Sequence, residues 1–248
     1  MVRPLLIRGM LVGLAAGLLA FVFAYLFGEP QVQQAIDFED ALARQTGAPA
    51  GPEIVSRGVQ RTLGLLTGTV VLGIALGGGF SLVYAYAYGR IGGAGPPATA
   101  AMLAVAAFVT VTLVPFTKYP ANPPAVGDPA TLDQRTLGYF AMIAITVAAL
   151  VASARVRSQL TARLGSWDAS IVAGAVFIGL VAMAQVILPA FDEAPAGFPA
   201  DVLYRFRLAS LGISAVLWST IGLGFGAAAE RLLSPPRRRV AIPATDMV

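Results

Sequence analysis

Charged residues fall in clusters along this chain, and the intervals between them are almost wholly apolar. Cutting at Asp, Glu, Lys and Arg leaves six long uncharged stretches, 9–28, 62–89, 91–117, 136–154, 169–191 and 208–229. Each reaches or nearly reaches the roughly 20 residues that carry a helix across hydrocarbon. The third opens with Gly92-Gly93-Ala94-Gly95-Pro96-Pro97, which is turn chemistry, so its helix is expected to start near Ala98. The pattern predicts an all-α polytopic membrane protein with a single transmembrane domain of six helices. They pair as three hairpins, about 4–88, 98–154 and 168–230, and 231–248 forms a basic cytoplasmic tail. Arg3 and Arg8 followed by an apolar run also suit a secretory signal, but 20 uncharged residues exceed such a core, so a retained first helix is expected.

The positive residues orient the spans. With the N-terminus inside, the cytoplasmic side holds ten Lys/Arg (3, 8, 90, 155, 157, 163, 231 and 237–239) against three acids. The outer side then holds the other seven Lys/Arg against ten acids, so both termini are cytoplasmic and the outer face is acidic. The Arg237–Arg239 run reads as an anchor near anionic lipid, and no nucleic-acid partner is implied.

Composition sharpens the picture mainly through what is missing. The 248 residues are 57% hydrophobic and 12% charged, with mean hydropathy +0.75 and formal charge +4. There is no cysteine and no histidine. Disulfides and thiolate metal sites are excluded, as are imidazole ligands and imidazole bases. All thirteen acids lie outside the apolar stretches, whereas a pump or proton relay usually keeps a carboxylate within the membrane. Midspan oxygens and thioethers (Thr110, Thr112, Ser214, Gln185, Met102, Met142, Met183) read mainly as packing groups. No nucleophile–base pair or metal tetrad is visible, so no enzyme and no resident cofactor are expected.

Small residues at four-residue spacing, Gly9, Gly13 and Gly17 on the first helix and Gly64 and Gly68, then Gly73 and Gly77, on the second, predict close helix packing. In lipid such close approach does much of the work that water expulsion does elsewhere.

The densest chemistry lies between the third and fourth stretches. Residues 115–129 hold five prolines, which fix φ and remove donors, so this is ordered non-helical chain. Within it, Lys118, Tyr119, Pro120, Asn122, Pro123 and Pro124 are expected to be structural or gating residues. Gln134 to Gly138 repeats Gln60 to Gly64 letter for letter at a spacing of 74, and Pro115-Phe116 is echoed by Pro189-Ala190-Phe191 at the same spacing. The echo suggests three related hairpins with their loops outside. Arg61, Arg135 and Arg207 each stand at the outer start of an even-numbered helix, where the dipole disfavours a cation. Each is therefore expected to bind an outer carboxylate and hold the loops closed. Glu29, Asp37, Glu39, Asp128 and Asp133 are the acids that could gather a divalent cation there. The plainer reading of the same acids is a solvated rim.

Lys118-Tyr119-Pro120-Ala121-Asn122-Pro123-Pro124-Ala125-Val126-Gly127-Asp128, with Gln134-Arg135-Thr136, resembles the CbtA family of cobalt transporter subunits. Arg8-Gly9-Met10-Leu11 with Gly13 and Gly17, and Phe27-Gly28-Glu29-Pro30, resemble it too, so the likeness runs along essentially the whole chain. It implies a bacterial inner-membrane protein tied to cobalt uptake for cobalamin biosynthesis, with periplasmic outer loops. It also implies a companion, a small single-span subunit of the CbtB type that carries histidines. Five spans are often credited to that family, one fewer than counted here. Co²⁺ favours imidazole or mixed N/O sites. A chain without histidine needs a partner to supply nitrogen, or passes the ion largely hydrated past oxygen. A permease subunit for a divalent metal, with Co²⁺ as substrate, is thus expected; a non-transporting membrane scaffold is the alternative. Besides the bilayer and the companion, a second copy of the chain is a partner left open.

Overall fold

The computed structural model describes residues 2–47, 55–191 and 193–233. Glu53, Asp192 and all but the first three residues of the expected basic tail lie outside the described residues. Those described are all-α, and five helical stretches are long and apolar enough to cross a membrane. The protein is a multi-pass membrane protein. We label its helices α1 (Val2–Thr46), α2 (Arg57–Ala87), α3 (Pro96–Lys118), α4 (132–164), α5 (166–187) and α6 (Ala200–Leu233).

α4 and α5 form one long helical run broken at Gly165, whose φ of 80° and ψ of 168° are non-helical. A positive φ is cheap only for glycine. The chain folds back there, since Arg157 Nε donates to Ser170 Oγ (2.9 Å) and Met142 packs with Ala184. Residues 142 and 184 of an unbroken helix would stand about 63 Å apart.

Two prolines inside helices are accommodated by widened turns. Pro30 follows a π-helical turn at Ala24–Gly28, and Pro115 follows one at Phe108–Leu113. Proline lacks the N–H that an α-helix requires and crowds the carbonyl four residues back; the wider turn relieves both. The helix thus continues through Pro30, and Glu29–Thr46 is helical where a loop was expected. It ends at Gly47 in a left-handed C-cap. A third π turn, Gln60–Gly64, opens α2. Its sequence twin Gln134–Gly138 is ordinary α-helix, so the repeated pentapeptide does not share one conformation.

α1 and α2 are antiparallel with their backbones in near contact. A Cβ at Gly13 would lie 2.1 Å from the Gly73 carbonyl oxygen, one at Gly9 2.4 Å from that of Gly77, and one at Gly17 2.6 Å from that of Thr69. Gly64 and Gly68, expected on this face, are not on it. A Cβ at Gly68 meets nothing within 4 Å, and one at Gly64 meets only its own helix. The register places Gly73 and Gly77 opposite α1, and α2 then runs on beyond the contact.

α6 packs on α1 and α3, not on α5 as the third hairpin would have it. Its small face meets α3, where a Cβ at Gly222 would come within 2.5 Å of Ala104 Cβ. The core of this four-helix lobe joins Leu5 and Ala20 to Phe80, Tyr84, Trp218, Ile221 and Phe225. Phe225 meets Phe80 and Tyr84 edge-on, at 5.5 and 5.0 Å between ring centres. Arg8 donates to the Ala228 carbonyl (2.6 Å), so the start of α1 and the end of α6 lie together. The α4–α5 hairpin forms a second lobe, joined to the first through the C-terminal half of α3.

Candidate functional site

The 118–128 segment is clamped at the end of the bundle opposite the Arg8–Ala228 contact. Lys118 Nζ donates to the Gln185 carbonyl (2.7 Å) in the last turn of α5, where the helix dipole favours a cation. Gln185 Nε2 returns a bond to Thr117 Oγ1 (2.6 Å). Tyr119 lies 8% exposed, donates its hydroxyl to the Pro189 carbonyl (2.8 Å) and rests on the bare backbone of α4 at Gly138. Any Cβ at Gly138 would sit 2.6 Å from the phenol oxygen. Burial pushes the Tyr119 phenol above its ordinary value, so it stays a neutral donor. Asn122 Oδ1 accepts from Arg207 NH2 (3.0 Å), tying the segment to α6.

The prolines shape the turn between these ties. Val126 N–H reaches the Pro123 carbonyl (3.2 Å), and Ala125 at the third position has a φ of 64°. Such a turn prefers glycine there. Ala125→Gly is therefore expected to raise stability by about 1 kcal/mol, read as a higher melting temperature in detergent or nanodiscs. Pro123 is buried, while Pro120 and Pro124 are half-buried on the flanks. Asp128 caps the short turn Pro129–Thr131 by accepting from Ala130 N–H (2.8 Å).

Arg135 finds a carboxylate, and it is Glu193. Its NH1 lies 2.5 Å from Oε2, and Thr131 donates to the other oxygen of the same carboxylate. Gly127, with φ 131°, lets the guanidinium close in, since a Cβ there would meet NH1 at 2.8 Å. The corresponding pair at the first loop is Arg57 with Glu29, whereas Arg61 is exposed and in no ion pair among the described residues. Arg207 meets an amide oxygen at Asn122. Arg135 is thus held on a carboxylate by a direct salt bridge, as its place at a helix start led one to expect.

The five expected cation ligands are not brought together. Glu29 is held by Arg57, Asp37 accepts from Gln33 (3.0 Å), Asp128 is a cap, and Glu39 and Asp133 are exposed. Among the described residues no three acids form a group that could hold a metal ion. Glu193 and Tyr139 were not among the expected site residues, and Gly138 was marked only as the end of the repeated pentapeptide. The signal available for Glu193 was the need of Arg135 for an anion, but choosing among ten outer acids takes the fold.

These ties frame a crevice of about 340 Å³ at this end of the bundle, between α3, the proline segment, α4 and α6. Tyr119, Asn122, Arg135, Thr136, Tyr139 and Ser210 contribute to its wall. Tyr139 donates to the Val111 carbonyl (3.0 Å), the one that an unbroken helix would offer to residue 115, a proline without N–H. The clefts that open between helices nearer midspan are apolar; one of about 390 Å³ between α4 and α5 is walled by alanine, leucine, isoleucine and methionine. Buried hydroxyls at Ser81, Thr110 and Thr146 donate to carbonyls of their own helices.

A family model described as "Probable cobalt transporter subunit (CbtA)" matches residues 2–230, nearly the whole chain. The chain belongs to the CbtA family. No curated protein and no solved structure matches it. The family match takes in the crevice residues from Tyr119 to Ser210, together with the Gly9–Gly17 face. CbtA chains are named as subunits, which implies a partner protein.

Proposed function

We propose that this CbtA chain is the permease subunit for a divalent transition-metal ion, with Co²⁺ as substrate, in a bacterial inner membrane. The observation that carries the reading is the CbtA match across residues 2–230. The lack of histidine and cysteine adds the partner: imidazole for Co²⁺ comes from a small single-span subunit of the CbtB type. The chain acts as a carrier, not an enzyme, and Co²⁺ passes as substrate with no resident cofactor.

Each limb of the α4–α5 hairpin crosses the bilayer, making six spans with both termini in the cytoplasm. The Arg157–Ser170 bond across the Gly165 turn and the Arg8–Ala228 bond between the chain's ends support this even-numbered topology. The positive-inside tally sets its direction, so the crevice faces the periplasm. The apolar midspan clefts support a path completed between subunits, because neither lobe offers a chain of polar groups from one face to the other in the clefts described.

Radioactive cobalt accumulation in cells tests the reading. Uptake is expected to require this chain and its companion together. Uptake unchanged on deleting this chain would overturn it and leave the scaffold reading in place.

A further inference from the structure

We propose that the crevice and an apolar cleft adjoining it hold one phospholipid, its phosphodiester in the crevice and an acyl chain in the cleft. The inference goes beyond the metal-permease reading and does not depend on it.

Shape supports a lipid. α3 packs against both α4 and α6, while α4 and α6 make no comparable contact with each other among the described residues. The crevice is thus backed by α3, capped by the proline segment and open sideways between α4 and α6. Leu132 lines it and is still 58% exposed. A second cleft, of about 240 Å³, lies between α3 and α6 closer to midspan. Apart from Ser219 its wall is apolar, built on Val105, Phe108, Trp218 and Leu223. Trp218 donates its indole N–H to Thr112 Oγ1 of the crevice (3.3 Å), so the two spaces adjoin. Thr112 follows Phe108 by four residues on α3, and Ser214 precedes Trp218 by four on α6, so both walls run on from one space into the next.

Hydrogen-bond chemistry selects the headgroup. Tyr119, Tyr139, Thr136 and Ser210 have spent their hydroxyl hydrogens on carbonyls. The hydrogens left for a ligand belong to Thr112, Ser214, Asn122 and Arg135. Thr112 and Ser214 donate to nothing among the described residues. Asn122 turns its oxygen to Arg207, so its N–H2 is the end left over. Arg135 commits NH1 to Glu193 and keeps its other N–H groups. That pair is neutral overall, and no acid among the described residues lines the crevice. The site therefore offers donors without net charge, against apolar walls. A phospholipid matches this in order of depth: phosphodiester oxygens, then ester carbonyls, then chain. Asn122 and Arg135 stand at the proline segment for the first. Ser214 lies seven residues, or about 10 Å, further along α6 than Arg207, with Thr112 for the esters.

Trp218 reports occupancy. The chain's other tryptophan, Trp167, is 77% exposed beside the Gly165 turn, so Trp167→Phe leaves Trp218 as the single reporter. With the full-length chain in detergent, phosphatidylethanolamine carrying a brominated acyl chain is expected to quench Trp218 saturably, at one lipid per chain. Brominated diacylglycerol, which lacks the phosphodiester, is expected to bind at least about tenfold more weakly. Asn122→Asp keeps an oxygen for Arg207 but sets a carboxylate against the phosphodiester. It is expected to weaken the phospholipid by about tenfold or more with the melting temperature held. Quenching that never saturates means passing contact only and overturns the site. Equal binding of diacylglycerol and phospholipid, or undiminished binding by Asn122→Asp, overturns it as well. Displacement of the brominated lipid by inorganic phosphate as effectively as by unlabelled phospholipid assigns the crevice to a free anion and also overturns it. Cobalt uptake in cells is a separate measurement, so the permease reading stands or falls apart from these results.

Discussion

Replacing Gly13 by leucine is expected to destroy the α1–α2 pair, at a cost of at least about 3 kcal/mol. The clash is with backbone: the added Cβ lies 2.1 Å from the Gly73 carbonyl oxygen and 3.1 Å from Gly77 Cα. No rotamer change relieves that, so the helices must separate along the whole Gly9–Gly17 face. Separation forfeits the close contact on which helix association in lipid depends. The core behind it also loses its frame, since Phe80 and Tyr84 on α2 reach Phe225 of α6 only while α2 stays in place. Thermal unfolding in detergent and the protein level in membranes both report the loss. Gly68→Ala is the control. Nothing lies within 4 Å of its new Cβ, so stability is expected to hold or rise by up to about 1 kcal/mol from helix propensity.

Breaking the Arg135–Glu193 pair is the second large effect. The side chains are 22% and 7% exposed, so removing either partner leaves a charge largely shut away from water. Loss of one partner from a fully buried pair costs about 3–5 kcal/mol; with Arg135 a fifth exposed, about 2–3 kcal/mol is expected for Arg135→Gln or Glu193→Gln. The double variant is expected to be more stable than either single one, because no unmatched charge remains. A double-mutant cycle on thermal melts reads the coupling directly. Cobalt accumulation is expected to fall in both single variants, since Arg135 is part of the crevice wall and Glu193 also holds Thr131.

The helices were legible in the sequence because hydrocarbon imposes a length and an apolar composition that few other structures share. The Gly9–Gly17 face was legible for a related reason: small residues every four positions have little other use on an apolar helix. The need of Arg135 for an anion also followed from its place at a helix start. Partner identity did not follow. Arg57 rather than Arg61 meets Glu29, and Glu193 rather than a nominated acid meets Arg135. Such choices depend on how helices cross, which periodicity along one chain does not encode. The pairing of α6 with α1 and α3 escaped for the same reason: short loops favour sequence neighbours, but Gly222 and Gly226 fit the small face of α3. The helical run Glu29–Thr46 was masked by Pro30, which ordinarily ends a helix; the π turn before it carries the helix through.

That uninterrupted first helix has a mechanical side. Its 45 residues reach about 68 Å, and hydrocarbon accounts for about 30 Å of that. The remainder stands up from the membrane like a mast, stayed near its middle where Phe38 meets Phe198. The submerged half lies backbone to backbone against α2 at Gly13 and Gly73, so the mast and α2 share one rigid line of contact. α6, which packs along this first helix and lines the crevice, joins the mast to the crevice wall.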